Sequence, residues 1–208
     1  MYAIAEKNLA ELLTRQVYPQ LIDSKFTYWN NGQRVITYKS LLVGGKPDNT
    51  QCKQAAAVVM KELTKSGGVK EFGSRQPVRT ELWSKQLYRG LGAVGLGRVD
   101  GPWWFEAELV KRWERVYAAE LPGKRRDKVM EAIRPMLAIC NDWNDMLRVV
   151  SITPGGVGIP VLTGQGTHQP IESVKSKKYD PQEKVVFIGG FQQVYVPFVP
   201  VQLVGNYV

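Results

Sequence analysis

The sequence has little cysteine and almost no histidine. Its 208 residues include two cysteines, Cys52 and Cys140, and one histidine, His168. Both cysteines fall within apolar helical patterns, where a reduced thiol behaves as a small hydrophobic side chain, so we expect no disulfide. One histidine and two distant cysteines, with no acidic cluster beside them, do not make up the ligands of a structural zinc site. The composition therefore predicts neither a metal nor any other cofactor.

Long apolar runs are also missing. No segment approaches the roughly 20 consecutive apolar residues that cross a bilayer. Near the N-terminus, Glu6 and Lys7 are charged where a signal peptide needs an apolar stretch. We therefore expect no membrane contact, and an intracellular, cytoplasmic protein when it is made. With 44% apolar and 23% charged residues, the composition is that of one globular domain spanning residues 1–208.

Acidic residues are outnumbered by basic ones. The 28 Lys and Arg residues against 19 Asp and Glu residues give a formal charge of +9, which attracts polyanions such as nucleic acid or the acidic face of a protein. Trp83 and Tyr88 lie among the basic residues between Arg75 and Arg89. Aromatic residues among basic ones are typical of grooves that bind single-stranded nucleic acid. The alternative is that these aromatic residues are buried and the charges beside them are only solvated. The candidate polyanion-binding residues are Arg75, Arg79, Lys85, Arg89, Lys124, Arg125 and Arg126.

Local patterns predict both helices and strands in the first two thirds of the chain. Strands from Lys25 to Trp29 and from Gln33 to Tyr38 flank an Asn-Gly pair, which is a strong hairpin signal because both turn residues must adopt positive φ. Apolar residues at helical spacing predict helices at about 5–13, 50–65, 80–88, 102–116 and 129–147, with Pro135 kinking or splitting the last one.

The C-terminal third has the composition of strands and loops. Its predicted strands are Arg148–Thr153, Lys184–Ile188 and a last extended segment at 192–204. Pro197 and Pro200 cannot donate ladder hydrogen bonds, so we expect that segment at a sheet edge or as an arm over a neighbouring subunit. The predicted class is α+β, with a helical middle (about 102–147) packed on a mixed or antiparallel sheet of the N-terminal hairpin and the C-terminal strands. The candidate subunit-contact residues in the arm, 192–208, are Tyr195, Phe198 and Val201.

Two short motifs bear on chemistry. The glycines at 90, 92 and 95 satisfy G-x-G-x-x-G, but the expected strand before and helix after this fingerprint are missing, so we do not interpret it as a dinucleotide site. Arg89, the segment Ser151-Ile152-Thr153 and Glu183 are similar in order to the Arg, Ser-Thr-Ser and Glu motifs of ADP-ribosyltransferases. This resemblance covers three short segments and implies an NAD-consuming enzyme, although Ile152 and Pro181 depart from the family pattern.

Three functional hypotheses follow from these observations. The first is a non-enzymatic structural and assembly protein that forms a homo-oligomer or a larger assembly, for example a neck, tail or capsid-associated component of a viral (phage) particle. Glycine-rich loops and the proline-containing C-terminal arm favour it, because such segments gain order from partners. The second is a basic nucleic-acid-binding module, and the third is an ADP-ribosyltransferase-like enzyme.

Overall fold

The chain has an α+β fold with four helices and an antiparallel sheet in the part described by the computed structural model. That part comprises residues 2–65, 78–91, 99, 101–137, 146, 148–165 and 192–206. The helices are α1 (Tyr2–Arg15), α2 (Asn49–Lys65), α3 (Ala107–Val116) and α4 (Pro122–Met136). The strands are β1 (Lys25–Trp29), β2 (Gln33–Thr37), β3 (Leu42–Val43), β4 (Lys46–Pro47), β5 (Arg79–Trp83), β6 (Leu87–Leu91), β7 (Trp103–Glu106), β8 (Arg148–Ile152), β9 (Ile159–Gln165), β10 (Gln192–Tyr195) and β11 (Gly205–Asn206).

Within the described residues, seven strands form the main sheet in the order β11-β8-β6-β7-β10-β9-β5, and all neighbouring strands are antiparallel. The pairs β1–β2 and β3–β4 form two separate two-stranded sheets. The sheet is therefore antiparallel, which was one of the two predicted alternatives, a mixed or an antiparallel sheet. The prediction that the N-terminal hairpin joins this sheet was wrong, since β5, β6 and β7 from the middle of the chain take part instead.

Several local predictions are confirmed. Helices α1 and α2 form where the apolar spacing placed them, and the Asp48 side chain caps α2 by accepting the backbone N–H of Gln51 at 2.9 Å. The first hairpin turns at Asn31 and Gly32, whose φ angles are +50° and +122°. Strand β8 also lies where it was expected. The predicted strand at 184–188 and the residues Cys140, His168 and Glu183 lie outside the described residues.

The predicted helix at 80–88 is instead two strands, β5 and β6. Leu87 and Tyr88 are adjacent, and both are buried, because the two faces of β6 enter different cores. A strand that is buried on both faces shows no alternation of polar and apolar residues, and this removes the usual sequence signal. The segment from Trp103 to Glu106 was mistaken for the start of a helix for the same reason. It forms β7, and α3 begins only at Ala107 rather than at 102.

Helix α4 is shorter than the apolar spacing suggested. It ends at Met136, one residue after Pro135, so the proline lies in its last turn. Val129 and Ile133, the first two residues of the predicted seam, are fully buried. This agrees with the rule that proline interrupts the interior of a helix but is compatible with its end.

Two hydrophobic cores share the main sheet. The larger core contains buried side chains of α1, α2, the first hairpin and the C-terminal segment, together with Leu87 and Trp104 of the sheet. The smaller core lies between the sheet and helices α3 and α4, and it takes Tyr88 and Phe105 from the same two strands. Neighbouring residues of one strand therefore support different layers of the molecule.

The C-terminal segment belongs to the larger core and is not an arm at the sheet edge. Strand β10 lies between β7 and β9, and Pro197 and Pro200 follow its last residue, so neither interrupts a ladder. The ring centroid of Phe198 lies 5.8 Å from that of Tyr38 and 6.3 Å from that of Phe26. The expectation of an edge strand or arm was therefore wrong, because it counted the prolines as part of the strand.

Candidate functional site

The basic segment between residues 75 and 89 contributes only two exposed charges among its described residues, Arg79 and Lys85, whereas Arg75 lies outside the described part. Arg89 is half-buried, and its Nη1 donates a hydrogen bond to the carbonyl of Trp103 at 2.7 Å. Its guanidinium group lies against Gly101, where a Cβ would overlap it. Arg89 thus connects strand β6 to the beginning of β7, and this is a structural role.

The aromatic residues of this segment do not face solvent. Trp83 and Tyr88 are each 6% exposed and belong to the larger and the smaller core, respectively. Stacking on a nucleic-acid base requires an accessible ring face. Their burial therefore removes the base-stacking part of the argument and agrees with the alternative of solvated charges beside buried aromatics.

The second basic cluster, at 124–128, is compensated by neighbouring acids and carbonyls. Glu120 lies 3.6 Å from Lys124 Nζ and accepts a hydrogen bond from Lys128. That hydrogen bond lowers the pKa of Glu120 and raises the pKa of Lys128. Arg125 Nη2 donates to the carbonyls of Ala118 and Glu120, at 2.7 and 2.9 Å, and so closes the turn between α3 and α4.

Arg126 completes this cluster with an exposed ion pair to Asp127 at 3.7 Å. A polyanion would therefore have to compete with Glu120 and Asp127 for three of these cations. The positive charge of this cluster is thus reduced by two neighbouring carboxylates in the fold.

The three predicted subunit-contact residues are divided between the core and the surface. Tyr195 and Phe198 are each 2% exposed, whereas Val201 is 39% exposed in a short 3-10 turn. Tyr195 packs edge-on against Trp103, with ring centroids 4.9 Å apart. The expectation for Tyr195 and Phe198 is corrected, because both side chains are used within the chain itself.

Arg89 and Ser151, which belong to the ADP-ribosyltransferase-like pattern, face away from each other. On the neighbouring strands β6 and β8, Arg89 is paired with Val150, and Ser151 with Tyr88. Residues directly opposite in a sheet point to the same face, and successive residues alternate. Arg89 and Ser151 therefore lie on opposite faces of the sheet.

Of the glycine motif, Gly90 lies in β6, where a Cβ would come within 2.5 Å of Met146 Cγ, so the residue permits close packing.

A polar groove of about 450 Å³ runs along strand β5. Register places Arg79, Glu81 and Trp83 on the same face as their β9 partners, and the Thr163 hydroxyl donates to Glu81 Oε1 at 3.0 Å. Among the described residues, the buried Nε1 of Trp83 has no hydrogen-bond partner. The groove contains basic and acidic side chains together, and it is lined by Arg79, Glu81, Trp83, Lys85, Glu106, Thr163, Gly164, Gln165 and Gln192.

The β1–β2 hairpin presents apolar side chains to solvent. Phe26 is buried, but Trp29 is 64% exposed and Val35 is 49% exposed. Register pairs Thr27 with Val35 and Trp29 with Gln33, so Trp29 and Val35 are diagonal neighbours on one face. Sequence reasoning missed this surface, although the alternation of Phe26 and Tyr28 with Thr27 and Trp29 was a signal that could have revealed it.

Within the described ranges, no group of His, Cys, Asp and Glu residues could hold a metal ion. None of the helices there is long and apolar enough to span a membrane. Comparisons with protein-family models, with curated proteins and with solved structures found no significant match.

Proposed function

We propose that this protein is a non-enzymatic assembly subunit, such as a neck, tail or capsid-associated component of a viral (phage) particle. Copies of the chain would contact one another through the β1–β2 hairpin. The observation that carries the proposal is the exposure of Trp29 and Val35 side by side on the outer face of this hairpin. Tryptophan is enriched among the few residues that contribute most of the binding energy of protein interfaces.

The base of the hairpin is fixed, which lowers the cost of binding through its tip. Phe26 packs against Phe198 of the C-terminal segment, and the Tyr38 N–H donates to the Ser24 carbonyl at 2.8 Å. The turn itself is a tight Asn31-Gly32 turn. A contact surface that is ordered before binding loses less conformational entropy when it meets a partner.

Substitution of the exposed pair tests the proposal. Trp29→Thr together with Val35→Thr removes the apolar surface but keeps residues that favour strands. Sedimentation velocity should show the wild type as an assembly and the double variant as a smaller species. Val43→Thr is the matched control, because Val43 is 64% exposed in the other small hairpin, β3–β4. A wild type that stays monomeric at high micromolar concentration, or a double variant that assembles like the wild type, contradicts the proposal.

A second candidate function is nucleic-acid binding by the same part of the chain. The segment 25–47 contains four basic and no acidic residues. Lys25, Arg34, Lys39 and Lys46 are all exposed there. Such a surface would bind phosphates, and the 64% exposed Trp29 lies among these basic residues in the sequence.

A salt titration of oligonucleotide binding tests this second candidate. Lys25→Gln with Arg34→Gln should weaken binding to a single-stranded oligonucleotide and lower the salt slope by about one for each lost phosphate contact. Lys124→Gln serves as the control because Lys124 is paired with Glu120. Absence of salt-dependent binding in the wild type would exclude this candidate.

A further inference from the structure

Strand β5 is a free edge of the main sheet within the described residues. It pairs with β9 on one side, and Leu82 lies opposite Pro160. Proline has no N–H, so Leu82 and Pro160 are not a doubly hydrogen-bonded pair. Because hydrogen-bonded and non-hydrogen-bonded pairs alternate along an antiparallel ladder, the backbone groups of Thr80 and Leu82 point away from β9. These outward groups can pair with another strand.

The other edge of the sheet differs from β5. It is formed by β11, which has only two residues, and very short edge strands are one way in which proteins prevent further pairing. Strand β5 has five residues with the sequence Arg-Thr-Glu-Leu-Trp, and it contains no proline, glycine or lysine. Its two charged residues, Arg79 and Glu81, have opposite signs, so they disfavour pairing only with a strand that places like charges opposite them.

We propose that two copies of this chain pair edge to edge through β5. The two strands would run antiparallel about a twofold axis, with Thr80 opposite Thr80 of the partner subunit. In this register, Arg79 lies opposite Glu81 of the partner subunit, and Glu81 lies opposite Arg79 of the partner subunit. Val78 then lies opposite Leu82 of the partner subunit. The pairs at Thr80 and at Val78 use only the outward backbone groups, as an antiparallel ladder requires.

Charge selects this register over its neighbours. Shifting the axis to Leu82 would place Arg79 opposite Lys85 of the partner subunit, which brings like charges together. Placing the axis at Glu81 would also use outward backbone groups, those of Thr80 and Leu82, but it would bring the two Glu81 carboxylates directly opposite each other. Opposite charges directly across two strands attract, and like charges there repel. The strand is therefore complementary to itself in one register, which suits a twofold interface.

Both faces of the junction have surface that would gain from pairing. Arg79 and Glu81 lie on the groove face of β5. On the opposite face, the Thr80 hydroxyl donates to the carbonyl of Ala5 in α1 at 3.0 Å. Ile4, the preceding residue of that helix, is 67% exposed. The helix that packs against this face of β5 thus also carries exposed apolar surface.

This inference rests on the proposed assembly function and specifies one interface of it. A twofold interface closes at two copies, whereas the hairpin would connect such pairs into larger assemblies. The two interfaces can therefore be separated. Loss of the hairpin contact should leave dimers, and loss of the edge contact should remove those dimers.

Charge reversal provides the test. Arg79→Glu leaves acidic side chains opposite each other at both cross-strand pairs, and Glu81→Arg leaves basic ones. Each variant alone should self-associate about tenfold or more weakly than the wild type, because two attractive pairs become repulsive. Mixing the two variants should restore association, since each mixed pair again joins an acid to a base. Sedimentation velocity in the Trp29→Thr, Val35→Thr background isolates this contact.

The outcomes distinguish the two proposals. Single variants that associate like the wild type, or a mixture that stays dissociated, would overturn the edge pairing while leaving assembly through the hairpin intact. A wild type that does not self-associate contradicts both. Lys85→Glu is the control reversal, because Lys85 follows β5 and lies outside the proposed register.

Glu81→Arg also removes the acceptor of the Thr163 hydroxyl, so a test that does not alter Glu81 is needed. Thr80→Cys should form a disulfide-linked dimer under mild oxidation, because opposed residues at the axis have Cα atoms about 5.5 Å apart. Ser84→Cys and the wild type should stay unlinked under the same conditions. Failure of Thr80→Cys to link faster than Ser84→Cys would overturn the proposal.

Discussion

The hydroxyl of Tyr38 accepts a hydrogen bond from the backbone N–H of Tyr18 at 3.0 Å, and both residues are fully buried. Tyr18 in turn donates its own hydroxyl proton to the Leu12 carbonyl at 2.8 Å. These two bonds connect the end of α1 to the end of the first hairpin. They satisfy polar groups that would be costly to bury alone.

This relationship predicts a loss of stability at alkaline pH. Burial raises the pKa of Tyr38 from its ordinary value of 10.0 to about 12, and burial raises the pKa of Cys52 from 9.0 to about 11. The folded state therefore favours the protonated forms, and the free energy of unfolding should fall as pH rises from about 9 to about 12. Urea unfolding at a series of pH values measures this fall.

Tyr38→Phe identifies the contribution of this hydroxyl. At neutral pH the variant should lose about 1–3 kcal/mol, because the buried Tyr18 N–H no longer has its acceptor. The decrease between pH 10 and 12 should become shallower, since Phe cannot ionise. An unchanged alkaline decrease in the variant would show that other groups cause it.

Adjacent arginines in α4 should differ sharply in their effect on stability. Arg125 donates to two carbonyls in the turn between α3 and α4, whereas Arg126 forms an exposed ion pair with Asp127. Arg125→Ala should lower the free energy of unfolding by about 1–3 kcal/mol, and Arg126→Ala by less than about 0.5 kcal/mol. Chemical denaturation compares the two, and equal effects would refute the structural assignment of Arg125.

The buried C-terminal segment gives a fourth prediction. Phe198→Ala should destabilise the protein by about 3–5 kcal/mol, because its ring fills space between Tyr38 and Phe26 in the larger core. Val201→Ala, at a residue that is 39% exposed, is the control and should have a small effect. Thermal melting measures both. A melting temperature of Phe198→Ala equal to that of Val201→Ala would place the segment outside the core.

The parts of the fold that sequence reasoning predicted have one buried and one exposed face. Helices α1 and α2 show regular apolar spacing, and the first hairpin has a turn that only a few residue pairs can form. Strands β6 and β7 were missed because Leu87 and Tyr88, like Trp104 and Phe105, are buried on opposite sides. Their apolar runs fit a helix or a strand equally well, and only the tertiary arrangement decides between them.

The surface was harder to predict than the core. Arg89 and Arg125 were selected for their charge, but each donates to a backbone carbonyl outside its own strand or helix, that of Trp103 and that of Ala118 respectively. Composition does not reveal such acceptors. Likewise, the position of β5 at an edge of the sheet, as far as the chain is described, depends on which strands lie beside it, and no local sequence pattern reveals strand order.

The shared sheet also determines how cooperatively the protein unfolds. Leu87 and Tyr88 bind one strand to both cores, and Trp104 and Phe105 do the same for its neighbour. Detaching α3 and α4 would therefore loosen strands on which the larger core depends. Amide hydrogens of α1 and α2, on one side of the sheet, and of α3 and α4, on the other, should accordingly exchange with solvent with similar free energies of opening. The two layers would then behave as a single cooperative unit.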